Sequence, residues 1–242
     1  MSYTEIAELL KVILVSIFLL YACYLDLKSR TVPNRVWKFM LVSILPFLAY
    51  QIYEALRFPI LLLFSAIGIV FMLLFSYLLY AMNVYGGADA KALMSLSIAF
   101  PFYPEVSPIL FNHGIGVFSF SVLANSVIFA PMLMAAIFLR NVAREGFGNF
   151  FRYPFYYIVG YRIPVEKIRF HNLFEFIDED GRLKRVIKAV ESDEEKILRL
   201  KKAGVKEVWV TPALPFILFI TAGFFIAVIF GDVVVAVISA LV

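Results

Sequence analysis

The sequence predicts an all-α polytopic membrane protein of six transmembrane segments, with a small cytoplasmic α+β insert between segments 5 and 6. Three observations carry this expectation. First, 62% of the 242 residues are apolar, 17% are charged and 26 are Phe, whereas a soluble domain is usually about 45–50% apolar. Second, mean hydropathy is +0.88. Third, charge is segregated: residues 141–208 hold 14 of the 22 cations and 11 of the 18 anions. This composition excludes a disordered chain, a disulfide scaffold and an ordinary soluble enzyme.

A membrane-spanning helix needs about 20 apolar residues. Five stretches approach or exceed that length: Ile6–Leu25, Trp37–Tyr53, Phe58–Met82, Ile115–Leu139 and Ala213–Phe230. Glu5 and Glu8 stand at its start with no cation before Lys11, and Tyr-Leu-Asp-Leu-Lys rather than a small-residue cleavage site stands at its end. The first stretch therefore reads as a retained helix, not a signal peptide. Ala90–Phe100 forms a short fourth segment, with Pro101, Pro104 and Pro108 behind it. Residues 233–242 are too few to cross alone. They either extend the last helix past Gly231-Asp232 or lie at the interface.

In the charged insert, Lys167–Ile177 reads as a strand and Asp178–Gly181 as a turn. Ser192-Asp-Glu-Glu195 matches a capping box. A helix follows to about Lys202 and ends at Gly204 in a left-handed cap. Val205–Val210 reads as a further strand. The chain thus divides into a membrane part (1–140), a cytoplasmic module (141–208) and a last segment with its tail (209–242).

Sidedness follows from the cations. Lys28, Arg30, Arg35 and Lys38 surround the first linker, and Lys91 follows the third. Lys11 and Arg57 are the sparse cations of the opposite side. The positive-inside rule places the 27–36 linker, the 83–89 linker and the module in the cytoplasm, and both termini outside. The basic excess of +4 is thereby accounted for, and no nucleic-acid partner is expected. A single cysteine, Cys23, and two histidines, His113 and His171, offer no metal site, and no cofactor is expected.

Acids near the membrane are few, and such groups default to a functional role. Asp26 ends the first segment and Asp89 begins the fourth. The threading puts both on the cytoplasmic side at one depth, so they can form a pair. A helix over 89–100 is only about 18 Å long, against a hydrocarbon core of about 30 Å. Gly86-Gly87-Ala88 is then expected as irregular backbone at membrane depth, lining a wet cavity. Glycines there allow a second chain to approach. Two carboxylates in such a cavity suit peptide hydrolysis, one activating water and the other polarising the scissile carbonyl. A small proton-coupled transporter using the same acids is the alternative, and a non-catalytic scaffold a third. The acids Glu175, Asp178, Glu179 and Asp180 read mainly as a solvated turn, with attraction of a basic segment as the functional option. Ser119, Ser121, Asn125 and Ser126 read as interhelical hydrogen bonders.

Two motifs carry a family resemblance. Asp26-Leu-Lys28-Ser-Arg30-Thr-Val-Pro33-Asn34 resembles the first motif of the type IV prepilin peptidases. Gly86-Gly87-Ala88-Asp89-Ala-Lys91 resembles their second, of Gly-x-Gly-Asp type, with Ala88 where the motif's name has glycine. The layout, and the Trp209–Pro212 entry to the last segment, are similar to the archaeal prepilin and preflagellin branch. The resemblance implies an intramembrane aspartic endopeptidase in a multi-pass cell-membrane protein. It would remove the basic leader from pilin-like or archaellin-like precursors, at the cytoplasmic face, just before their hydrophobic helix. Asp26 and Asp89 match the family's catalytic pair. Gly86, Gly87, Ala88, Lys91, Lys28, Pro33 and Asn34 match the supporting motif positions. The Cys-x-x-Cys pairs of many bacterial relatives are absent, so the methylation activity of those relatives is not carried over.

Overall fold

The structure, a computed structural model, describes residues 3–82, 84–104, 116–212 and 216–241. These form two compact units. One comprises the chain to Phe129 together with the segment from Pro215 onward, and the other spans Ala130–Leu214.

The first unit is helical. Helices α1 (Tyr3–Ser29), α2 (Asn34–Ala55) and α3 (Pro59–Ala81) are followed by a short α4 (Gly87–Ala99) and by α5 (Phe118–Val127). After the second unit come α9 (Phe216–Phe230) and α10 (Val233–Leu241). Local chemistry sets the boundaries. α1 closes through Arg30 in the left-handed region (φ 57°), whose N–H bonds the carbonyl of Asp26 at 2.9 Å. Pro33 then holds extended backbone (φ −62°, ψ 143°) and α2 starts at Asn34, as the Pro-Asn pair predicts. Pro59 occupies the first turn of α3, where a missing N–H costs nothing.

Lipid tails are as apolar as leucine, so helices in a bilayer associate through close packing and internal polar contacts. α5 and α9 show both. At Gly223 an added Cβ would lie 2.9 Å from the backbone nitrogen of Ser126, so the two helices touch backbone to backbone. Asn125 donates to the Gly231 carbonyl (2.9 Å) and accepts from the Val233 N–H (3.1 Å). Ser121 donates to the buried Asp232 carboxylate (2.9 Å). Ser121 and Asn125 are thus interhelical bonders as expected. Ser126 instead bonds its own helix, at the Val122 carbonyl. The knot at Gly231-Asp232 fixes a 67° bend between α9 and α10, so the tail does not continue the last helix.

Four helical stretches are long and apolar enough to cross a membrane: 5–29, 34–55, 59–81 and 118–145. The bent pair α9–α10 makes a fifth if counted as one span. α4, at 13 residues, falls below that length, and the six-span count is not reached by length and composition. It ends at Ala99, before the prolines. Pro108, His113 and Ile115 lie outside the described residues.

The second unit contains α6 (Phe129–Glu145, its first residue belonging to the other unit), a 3-10 turn (Phe147–Arg152) and α7 (Pro154–Val159). Beyond them lie β1 (Tyr161–Pro164), β2 (His171–Ile177), β3 (Leu183–Glu191), α8 (Glu194–Lys202) and β4 (Glu207–Pro212). The strands form an antiparallel sheet in the order β1-β4-β2-β3. Alternation sends Leu173, Val208 and Val210 into one core with Leu200 of α8. It sends Phe174 and Trp209 into another with Tyr157 of α7. The expected strands near 167–177 and 205–210 are present, with β1 and β3 in addition. Gly204 closes α8 at φ +69°. The cap that opens it is Asp193, which accepts from the Lys196 N–H at 2.7 Å, not Ser192. Placing the cap at Asp193 brings Glu194 and Glu195 into the first turn, where acids favour the helix dipole.

Candidate active site

Asp26 lies in the last turn of α1 and Asp89 in the first turn of α4, 8% and 9% exposed respectively. The charge of Asp26 acts on the Asp89 carboxyl, so the structure brings the two acids into electrostatic range across 62 residues of sequence. The Arg30 guanidinium acts on Asp26.

Asp89 is held by backbone at its own helix start. Its Oδ2 accepts from the Gly86 N–H at 3.0 Å, the reach-back of a third-position acid to its own cap. The Ile217 N–H, in the first turn of α9, also acts on this carboxyl. Two helix N-termini, each with partial positive charge, therefore face one carboxylate.

α9 packs against both α1 and α4. The Ile217 carbonyl is 3.6 Å from Cys23 Sγ, and Thr221 Oγ1 is 3.1 Å from the same sulfur. Cys23 sits one turn before Asp26. One turn of α9 thus touches the neighbourhood of both acids. Nothing in the sequence motifs marks Ile217, Cys23 or Thr221. The available signal is Cys23, one helical turn before the motif acid Asp26.

The supporting residues divide. Lys91 Nζ donates to Asn34 Oδ1 at 2.8 Å, tying the second motif to the first across α4 and α2. Gly86 is the N-cap of α4, and a Cβ there would stand 3.3 Å from Asp89 Oδ2. At Gly87 a Cβ would meet the Tyr80 ring at 3.4 Å. Gly87 and Ala88 are already helical, so the irregular backbone expected over 86–88 narrows to Gly86. Ala88 packs against the main core. Lys28 is exposed, with Nζ 5.7 Å from the Tyr24 ring centre. Pro33 serves as the opening of α2.

Two expectations are corrected, at Lys11 and at Glu175. The large cavity of the first unit, about 870 Å³, is lined by Glu5, Glu8, Gln51, Glu54, Phe100 and Tyr103 among others, and neither Asp26 nor Asp89 lines it. It gathers the opposite ends of α1, α2 and α4, about 30 Å along α1 from Asp26. Lys11, read as a boundary cation, is fully buried there. It contacts Gln51 Oε1 and Glu8 (3.3 Å) and lies over the Phe100 ring at 4.7 Å. Glu175, read within a solvated acidic run, is 2% exposed. It accepts from Arg185 Nε (2.7 Å) and the Trp209 N–H (3.0 Å) and serves the sheet. Among the described residues no three His, Cys, Asp or Glu side chains converge as metal ligands would.

A profile described as the type IV leader peptidase family matches residues 13–139, which include both acids and both motifs. The chain belongs to the type IV leader peptidase family. A second profile, the archaeal peptidase A24 C-terminus type II, matches residues 152–233. The chain is 28% identical over 226 residues to a preflagellin peptidase of Methanococcus voltae, covering 91% of this chain and 94% of that protein. It is 27% identical over 234 residues to a preflagellin peptidase of Methanocaldococcus jannaschii, at 92% and 94% coverage. A preflagellin peptidase of Methanococcus maripaludis is 25% identical over 222 residues, at 88% and 92%. This member of the family therefore aligns with its relatives through both the helical unit and the sheet unit.

Proposed function

We propose that this leader peptidase family member is an intramembrane aspartic endopeptidase with Asp26 and Asp89 as its catalytic pair. It removes the basic leader from pilin-like or archaellin precursors just before their hydrophobic helix. The observation that supports the reading is that two buried acids from the two motifs, each at a helix end, lie within electrostatic range of one another. The names of the relatives supply the substrate class.

Two close carboxylates share one proton, because like charges at short range oppose double ionisation. The ionised acid takes a proton from water, whose oxygen attacks the scissile carbonyl carbon. The protonated acid donates to the carbonyl oxygen. As the C–N bond breaks, the departing amine takes a proton from one acid while a hydroxyl of the tetrahedral intermediate gives its proton to the other as the carbonyl reforms, so the pair ends singly protonated. The Gly86 N–H, bonded to Asp89 Oδ2, orients that side chain. The Lys91–Asn34 bond supports the spacing of α4 from α2. The reading includes six segments with α4 as the short one, both termini outside, and the pair at the cytoplasmic face of the cell membrane. It takes 1–140 as the membrane part, 141–208 as the cytoplasmic module and 209–242 as the last segment with its tail.

The test is hydrolysis by the purified full-length protein in lipid vesicles, with a preflagellin-like or prepilin-like precursor as substrate. Mass spectrometry should find one cut at the junction of basic leader and hydrophobic helix. An intact precursor after prolonged incubation with folded enzyme rejects the function.

A further inference from the structure

We propose that residues 147–158 form an interfacial anchor, lying in the headgroup layer of the bilayer with Phe147, Phe151, Phe155 and Ile158 facing lipid. This goes beyond the peptidase reading and needs only that α6 ends a membrane span. The apolar run of α6 stops at Leu139, and Arg140 is its first cation. Gly146, at φ +78°, then turns the chain sharply, a conformation open mainly to glycine.

Beyond Gly146 the chain folds back along α6 instead of leaving it. The rings of Phe147 and Phe150 stand 6.5 Å and 5.5 Å from that of Phe138, the residue before the last apolar one of the span. Asn141 Nδ2 donates to the carbonyls of Tyr157 (3.1 Å) and Gly160 (2.6 Å). Tyr157 Oη donates to the Gly146 carbonyl at 2.9 Å. Both ends of the segment are therefore pinned between Phe138 and Gly146. Phe138 to Asn141 spans about 4.5 Å of helix axis, while each interfacial layer is about 5–7 Å thick.

The segment is two-faced. Phe150, Tyr153, Tyr156 and Tyr157 pack on Trp209 and Phe174. The other face leaves Phe147 52%, Phe151 75%, Phe155 41% and Ile158 36% exposed. Four large apolar side chains in water would be an unexplained patch. At the edge of a bilayer they bury themselves, as aromatic belts do. Arg152, exposed and 5.4 Å from the Tyr153 ring, and Arg140, 4.2 Å from that of Tyr161, supply cations at the same level. Such side chains reach headgroup phosphates while their stems stay in apolar surroundings. The occupant is lipid, because the patch is continuous with a membrane helix.

The experiment uses the full chain with Cys23→Ser, in vesicles of phosphatidylcholine and phosphatidylglycerol. Single spin labels are placed through Phe151→Cys, Phe155→Cys and Leu198→Cys. Leu198 is 51% exposed on α8, the helix whose Leu200 packs in the sheet's other core. Power saturation should give a several-fold higher ratio of oxygen to nickel-chelate accessibility at 151 and 155 than at 198. Equal, water-like ratios at all three positions overturn the proposal. If the cysteine variants fail to fold, Phe151→Trp and Leu198→Trp are compared with brominated lipid, each read as the change relative to the parent with its Trp37 and Trp209. Selective quenching of the tryptophan at 151 supports the anchor, and quenching at neither position rejects it.

Discussion

At the residue scale, Asp89 is a buried acid whose carboxylate is held by the backbone of its own helix start. Gly86 donates its N–H to the carboxylate at 3.0 Å, a bond to a charged acceptor worth about 1.5–3 kcal/mol, and the Ile217 N–H acts on the same carboxyl. Ile217 lies in the first turn of α9, where proline is tolerated because it keeps helical φ and its N–H has no partner within the helix. Ile217→Pro should therefore leave the protein folded and lower the cleavage rate about tenfold to a hundredfold. Single-turnover kinetics beside a circular-dichroism spectrum checks this. An unchanged rate in a folded variant removes the α9 terminus from the site. The acids themselves are legible in the sequence, being rare ionisable groups on two motifs. Ile217 is not, because a backbone donor leaves no trace in residue identity.

At the element scale, helix ends decide where side chains land. α8 shows how a one-residue error arises: Ser192 and Asp193 both cap well, and both precede acids. The structure selects Asp193, whose carboxylate is drawn below the usual range by the Lys196 side chain first and the Lys196 N–H second. A depressed folded-state pKa means its contribution is present at neutral pH and is lost as pH falls through the folded value. At neutral pH, Asp193→Ala should cost about 1 kcal/mol of local stability, roughly fivefold faster amide exchange over 194–197. Ser192→Ala should change it little. Hydrogen exchange followed by mass spectrometry separates the two, and equal effects would contradict the cap. Protection of these amides in the parent should also weaken in acid, once the intrinsic pH dependence of exchange is divided out. β1 and β3 escape a sequence reading for another reason. β1 is only four residues long and contains Pro164, and β3 is an exposed edge strand alternating with lysine and arginine. Neither gives a strong period-two signal.

At the scale of the whole molecule, a helical membrane protein with an α+β insert is legible in the sequence, because hydropathy and charge clustering are long-range signals. The large cavity at the Lys11 end is not, because burial of a lysine depends on Glu8 and Gln51 arriving from one turn away and from another helix. Sidedness yields its own prediction. In a Cys23→Ser background, Leu241→Cys should react with an impermeant maleimide on intact cells. Asp180→Cys, in the acidic turn, should react only after permeabilisation. The reverse pattern would invert the proposed topology.

The central claim is that Asp26 and Asp89 work as one unit. The most direct measurement is the rate of leader cleavage by Asp26→Asn, Asp89→Asn and the double variant, each purified and shown to be folded. Groups that act together are strongly non-additive. Each single variant should fall to the level of the double, with cleavage nearly abolished in all three. A single variant that keeps substantial activity, or losses that simply multiply in the double, would contradict the account.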